Sequence, residues 1–361
     1  MINRKFCICK NKLKEKINFG NLPLINNYSS KKNLIKYPIV ISQCKKCFLI
    51  QLKYSVSDKL LFPNNYSYLS GNSKEKINNF RSLFRKITKL SKKVNPQILD
   101  IGSNDGSFLE LVKKKYTKVL GIEPTNTAKI SINKGIDTIK KPLNFKLAKK
   151  IVSKYSRFDF VVASNFFAQT NNLIEILKSV KLILNKEGLL IVEVQYLYDL
   201  LFQKGFDSFH HEHIAYYTAS SIMKLLKKYK LYVVDAERLK VHGGMLRVYI
   251  SLHNKPITKK LKKILSKEKD ENIIGRIKNL NSFRIKFNNK LNKLLLNLKK
   301  KGKEIYGMGD APRACVMLNS CRLTKNEIGL VGEVPQSLKC NKYVPGTDIK
   351  VKDENKIITD K

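Results

Sequence analysis

Three of the five histidines in this sequence stand at 210, 211 and 213, with Glu212 among them, in the stretch FDSFHHEHIAYYT (residues 206–218). His211 and His213 are two apart, so they share a face only on a strand or an extended loop. Three chemistries suit the group. His-Glu-His can hold zinc, although it lacks the i, i+4 spacing of a helical zinc site. An imidazole titrates near neutrality and can act as an acid or a base, with the carboxylate tuning it. The histidines can also be satisfied members of a structural loop. Spacing alone leaves the three open.

A second set of reactive side chains lies near the start. Four of the seven cysteines pair as Cys7 with Cys9 and Cys44 with Cys47. The second pair has the spacing of a zinc knuckle, and the first is one residue short of it. Two such pairs can close a tetrahedral thiolate site, and metal binding then drives folding of a segment too small for its own core.

A third set surrounds LDIGSNDGSFL. Asp100 ends an apolar run, and Gly102, Asn104, Asp105 and Gly106 follow. Glycine lets backbone approach a ligand at the carboxyl end of a first strand. Two acids beside that turn disfavour a pyrophosphate and favour a cation such as S-adenosylmethionine. Glu123 follows at the end of the next apolar run, where a carboxylate accepts both ribose hydroxyls.

These groups need elements to hold them. PQILDIGSNDGSFLELVKKKY reads as strand, glycine turn and helix; KVLGIEPT and RFDFVVASNFFAQ read as further strands; LIEILKSVKLILNKEGLLIVEVQY reads as helix, turn and strand. Strands alternating with helices predict an α/β doubly wound parallel sheet. A Lys-rich amphipathic stretch then predicts one long helix, with the glycine of GRIKN as a possible break. KEIYGMGDAPRACVMLNSC repeats the strand, Gly-x-Gly turn and helix pattern, and EIGLVGEVP predicts the next strand.

At 361 residues there is room for two or three domains. No apolar run approaches the roughly 18 residues of a membrane span, and the start lacks the apolar core of a signal peptide. The expectation is therefore a cytoplasmic protein with no membrane partner, where paired cysteines point to metal before disulfide. The net charge of +43 suits nucleic acid or an anionic substrate. The lysines are dispersed rather than gathered into a stripe, which argues for compositional drift and against nucleic acid as a partner.

Taken in order, these motifs resemble the S-adenosylmethionine-dependent sugar C-methyltransferases. The resemblance rests on the cysteine pairs with GNLPLINNY, then NNYSYLSGNS (64–73), LDIGSNDGSFL, LGIEPT, SNFFAQTNN, VEVQYLYDLL, FDSFHHEHIAYYT, HGGMLRVYI, IYGMGDAPRA and KYVPGTDI, and it runs nearly end to end. It implies a zinc-binding domain over 1–65, a class I methyltransferase core with a Rossmann-like sheet over 66–255, and a second Rossmann-like domain over 256–361. The cofactors implied are S-adenosylmethionine and Zn2+. The acceptor implied is a nucleotide-linked 4-keto-deoxysugar, deprotonated beside its ketone so that the enolate attacks the methyl group.

The resemblance also distributes roles. His213 is the implied base, and Glu212 orients or tunes it. Tyr66 or Tyr68 borders the methyl-transfer site, and Asn165 ends its strand there. His242, Gly243, Gly244 and Arg247 fit the sugar-nucleotide pocket, with Arg247 pairing with the diphosphate. The helix start after Gly307 and Gly309 offers phosphate a second contact. The chain departs from the family at Gln169, where a second active-site histidine is usual. His210 replaces a tyrosine and is a candidate to take over that lost acid/base role. Arg313 replaces a lysine, keeping charge with different geometry, and Asp348 replaces the histidine of a PGTHI motif. Family members usually continue further, so an incomplete last domain with an exposed sheet edge is expected. An RNA base methyltransferase and a non-catalytic remnant that binds S-adenosylmethionine are the rival readings.

Overall fold

The computed structural model describes residues 1–64, 66–269, 272–309, 312–335 and 337–359. Its centre is a seven-stranded sheet. In spatial order the strands are Tyr232–Leu239, Met245–Ser251, Leu184–Gln195, Phe158–Ser164, Ile98–Ile101, Val119–Ile122 and Thr138–Ile139. All neighbours run parallel except Met245–Ser251, which is antiparallel to both of its partners. The inner strands ILDI and VLGI are buried throughout because helices cover both faces. This is the doubly wound class I methyltransferase sheet.

The N-terminal module is a four-stranded antiparallel sheet in the order Ala215–Tyr216, Ile50–Leu52, Tyr37–Cys44, Leu13–Leu22. Its edge strand therefore comes from the middle of the chain, just after the histidine group. The C-terminal unit is a three-stranded parallel sheet with Leu330–Glu333 between Gly307–Met308 and Lys350–Asp353. A shared apolar core joins these units: Ile17 and Phe19 pack with Phe206 and Phe209 and with Ile277 and Cys315.

The Lys-rich stretch forms two helices, not one: Lys259–Glu268 and Ile273–Lys300. The first is committed to the methyltransferase sheet by its last residue. The Glu268 carboxylate accepts the Ala219 and Ser220 N–H groups at 2.7 and 2.8 Å, at the N-terminus of helix Ala219–Lys227. Asn272 caps the second helix by accepting the Gly275 N–H at 2.9 Å, so the glycine sits in a first turn rather than at a break.

Candidate active site and thiolate centre

The four cysteines meet. All are buried, and their sulfurs lie within 4.8 Å of one another. Cys7 and Cys47 are 3.5 Å apart and Cys9 and Cys44 are 3.4 Å apart. A tetrahedral zinc with Zn–S near 2.3 Å requires sulfurs about 3.8 Å apart, so the donor set and spacing fit that ion. The hydrogen bond from Cys7 is the main cause that lowers the Cys47 thiol, while the Cys7 thiol is raised. Among the described residues this is the one group of three or more His, Cys, Asp or Glu side chains placed to hold a metal.

The histidine group is a tight turn, because the His213 N–H donates to the His210 carbonyl at 3.1 Å. The turn separates His211 from His213. His211 is 1% exposed and meets the Tyr37 ring edge-on at 5.8 Å, inside the N-terminal module. His210 and His213 come together, with ring centroids 4.2 Å apart. His213 is half-buried, while His210, His211 and Glu212 are buried. Burial pulls His211 and His213 down to about 4, so both are neutral at pH 7. A His-Glu-His metal site is therefore not formed.

Glu212 turns away from the histidines. Its Oε1 accepts Asn26 Nδ2 at 2.8 Å and its Oε2 accepts the Tyr66 hydroxyl at 3.0 Å. Burial pushes its carboxyl up to about 7, and those two donors partly offset the rise. Burial beside Glu212 holds Tyr66 well above the usual phenol range, and burial with Asp105 pushes Tyr68 up to about 12. Asn26 lies in GNLPLINNY, and its type and position carried no hint of this contact.

The glycine turn carries the tyrosine segment. Asn104, at φ 52°, accepts the Ser70 N–H through Oδ1 at 2.9 Å and donates to the Tyr68 carbonyl at 3.1 Å. Asp105 accepts the Gly71 N–H at 2.8 Å. Gly106, at φ 76°, has no room for a Cβ, which would stand 2.4 Å from Ser131 Oγ. Glu123 accepts the Asn104 and Thr125 N–H groups at 3.1 and 2.8 Å, one on each oxygen. Each oxygen keeps a lone pair for a further donor. Burial holds Asp100 well above the usual carboxylate range, opposed by the nearby Lys76 ammonium. Buried acids beside a glycine turn suit a cationic ligand that donates through hydroxyls. Gly102 and Asn165 are also at this end of the sheet, both in the left-handed region at φ 74° and 64°.

Arg247 corrects the sequence expectation. It is 1% exposed, and its guanidinium is consumed by Glu193 at 2.8 Å, Asn79 at 3.0 Å and Glu237 at 3.0 Å. The three strands place Glu193, Arg247 and Glu237 side by side in register. Burial pushes Glu193 up, but Lys76 and Arg247 outweigh that and hold it low. The arginine neutralises a core carboxylate and has no fork left for a diphosphate.

The other residues expected at the substrate lie near Glu75 and Asp207. His242 Nδ1 lies 3.2 Å from Glu75, which also accepts the His242 N–H at 2.9 Å. Gly243 and Gly244 follow in the left-handed region, and a Cβ on Gly243 would stand 3.3 Å from Arg313. Arg313 reaches from the C-terminal unit to Asp207 at 2.7 Å, beside the histidine loop. Residues 310–311, which join the Gly307–Gly309 turn to helix Pro312–Ser320, lie outside the described residues. Gln169 sits where the loop leaves, since the neighbouring Ala168 carbonyl accepts the Ile214 N–H at 2.7 Å. Asp348 is elsewhere, accepting the Lys325 N–H at 2.8 Å. Lys76, 2% exposed and donating to Ser164 Oγ at 2.8 Å, gave no signal in the sequence.

Family models match the chain in three consecutive pieces: a zinc binding domain over residues 7–62, a methyltransferase domain over 76–236 and a C-methyltransferase C-terminal domain over 240–361. The C-methyltransferase NovU of Streptomyces niveus is 25% identical over 345 residues, covering 93% of this chain and 82% of that protein. Among solved structures, the PH0226 protein of Pyrococcus horikoshii OT3 aligns with TM-score 0.40 and 17% identity over 54% of this chain and 97% of its own. A magnesium protoporphyrin IX methyltransferase of Synechocystis PCC 6803 aligns with TM-score 0.39 and 11% identity over 49% and 83%. Likenesses that partial carry no argument about function. The weight falls on the three models, the near full-length relative and the sheet order, which together show an S-adenosylmethionine-dependent methyltransferase with a C-methyltransferase C-terminal domain.

Proposed function

We propose that the protein methylates a carbon of a nucleotide-linked 4-keto-deoxysugar, next to the ketone. The observation that carries this reading is His213. It is the half-buried member of an otherwise buried group, it is neutral at pH 7, and the next residue, Ile214, bonds both Leu52 of the N-terminal module and Ala168 beyond the strand Phe158–Ser164. The C-methyltransferase relative supports carbon as the accepting atom.

His213 takes the proton from the carbon beside the ketone and becomes an imidazolium; the electron pair moves onto the ketone oxygen. Tyr68, raised to about 12, keeps its proton and is available to donate to that oxygen. Glu212, fixed by Asn26 and Tyr66, orients the loop that carries the base. Bound S-adenosylmethionine supplies the methyl group that the enolate carbon takes. Its ribose suits Glu123, and its charged end suits Asp100 with the turn of Gly102, Asn104, Asp105 and Gly106 and with Asn165. His242, Gly243, Gly244 and Arg313 suit the sugar and its phosphates, and Cys7, Cys9, Cys44 and Cys47 hold zinc as a structural ion. His210, buried against His213, supports it by packing rather than replacing the histidine absent at Gln169.

Deuterium exchange on a nucleotide-linked 4-keto-deoxysugar tests the reading, with wild type and His213→Asn, with and without cofactor. Wash-in beside the ketone should be seen in wild type and fall by roughly 100-fold or more in the variant. No wash-in from a folded protein that binds cofactor would sink the sugar reading. RNA would then be the next acceptor, recognised by a steep loss of binding with salt.

A further inference from the structure

The loop that carries His213 is held by the N-terminal module at several points, and one buried amide links that hold to the cysteine group. Gln51 has no exposed surface. Its Oε1 accepts the N–H of Ile8, the residue between Cys7 and Cys9, at 3.3 Å. Its backbone faces Ala215 in the sheet, and Ile50 faces Tyr216. The next residue, Leu52, donates its N–H to the Ile214 carbonyl at 2.9 Å, immediately after His213. On the other side the Cys44 N–H donates to the Leu49 carbonyl at 3.0 Å and the Phe48 N–H to the Cys44 carbonyl at 2.9 Å, so the second cysteine pair leads straight into this strand.

The strand Ala215–Tyr216 is two residues long. So short a strand sets its own register weakly, and a slip of one residue turns every side chain to the opposite face. The register must come from its neighbours: the Ala168 carbonyl, which accepts the Ile214 N–H at 2.7 Å, and its partner strand. That partner is short as well, Ile50–Leu52, and it is anchored at one end by the cysteine cluster and along its face by Gln51. Gln51 keeps a buried amide although its Nε2 has no partner among the described residues. An apolar residue of the same size would avoid that cost, so packing alone does not account for glutamine here.

From this placement we infer that Gln51 is a positioning residue for the reaction: it ties the thiolate centre to the strand that sets where His213 stands. The inference rests on His213 as the base, and the function of the metal centre is then to hold the catalytic loop as well as to fold its own module. Gln51→Met keeps the shape and removes the acceptor, while Gln51→Glu restores an acceptor oxygen.

The test compares zinc-loaded wild type, Gln51→Met and Gln51→Glu in four measurements: metal content, S-adenosylmethionine affinity, amide hydrogen exchange at Leu52 and Tyr216, and deuterium wash-in on the keto-sugar. In Gln51→Met, metal and cofactor binding should stay within about 2-fold. Amide exchange should speed up by about 10-fold or more, the His213 imidazole NMR signal should move, and wash-in should slow by about 10- to 100-fold. Gln51→Glu should recover at least part of each change. Unchanged amide exchange and an unmoved His213 signal in Gln51→Met would overturn the inference. If Gln51→Met loses its metal, Gln51→Asn is the second variant; loss of metal and of cofactor binding there as well would make Gln51 a general folding residue and also overturn it. If wild type shows no wash-in while the exchange and imidazole changes occur, the positioning stands and the sugar reading falls.

Discussion

The Tyr66 hydroxyl donates to Glu212 Oε2 at 3.0 Å, joining the segment that rides on the glycine turn to the loop that holds His213. Burial has pushed that carboxyl up to about 7, above its unfolded value of about 4.3. A group raised on folding contributes stability that is full below the unfolded value and is lost as pH rises through the folded one. His211 and His213, lowered to about 4, act oppositely: their contribution is full above about 6.5 and is lost as pH falls through about 4. Glu212→Gln removes the first effect alone. Its melting temperature should decline less than that of wild type between about pH 5 and pH 8, measured by thermal unfolding in a buffer series. Parallel curves for the two proteins would show that Glu212 is not raised on folding.

Arg247 and Glu193 are 1% and 0% exposed, so removing one leaves the other as an uncompensated buried charge. Arg247→Met should lower unfolding stability by about 3–5 kcal/mol in a urea titration. Its effect on sugar-nucleotide affinity should be minor wherever the protein remains folded. A stable variant with weakened substrate binding would return the arginine to the substrate pocket.

Glu123 accepts two backbone N–H groups, and the proposed reading assigns it the cofactor's ribose. Glu123→Ala deletes the acceptor for all of them. S-adenosylmethionine affinity by calorimetry should fall by about 10-fold or more. Glu123→Gln, which keeps one carbonyl acceptor, should lose less. Equal affinity in wild type and Glu123→Ala would place the ribose elsewhere.

Cys44 is completely buried in the thiolate group. Purified wild type should carry about one zinc per chain by elemental analysis, and Cys44→Ser should carry almost none and melt at a lower temperature. A metal-free wild type that folds normally would reduce the four cysteines to packing.

Local spacing made much of the scaffold legible. Apolar runs such as ILDI and VLGI specify buried parallel strands whatever lies around them, and paired cysteines can be recognised without knowing the rest of the chain. The break in the Lys-rich stretch was not legible, because it depends on Glu268 meeting a helix N-terminus contributed by Ala219 and Ser220. Arg247 stands beside the HGG turn and reads as a phosphate ligand there, yet its partner Asn79 lies 168 residues away in sequence. Asn26 reaches Glu212 across 186 residues. The sequence by itself determined which chemistries were possible: thiolates for a metal, acids and glycines for a cationic cofactor, imidazoles for proton transfer. Only the tertiary structure decided which histidine stays partly exposed, which arginine is consumed in the core and which module holds the histidine loop. Burial, ring contacts and charge neutralisation are properties of residues brought together from distant parts of the chain.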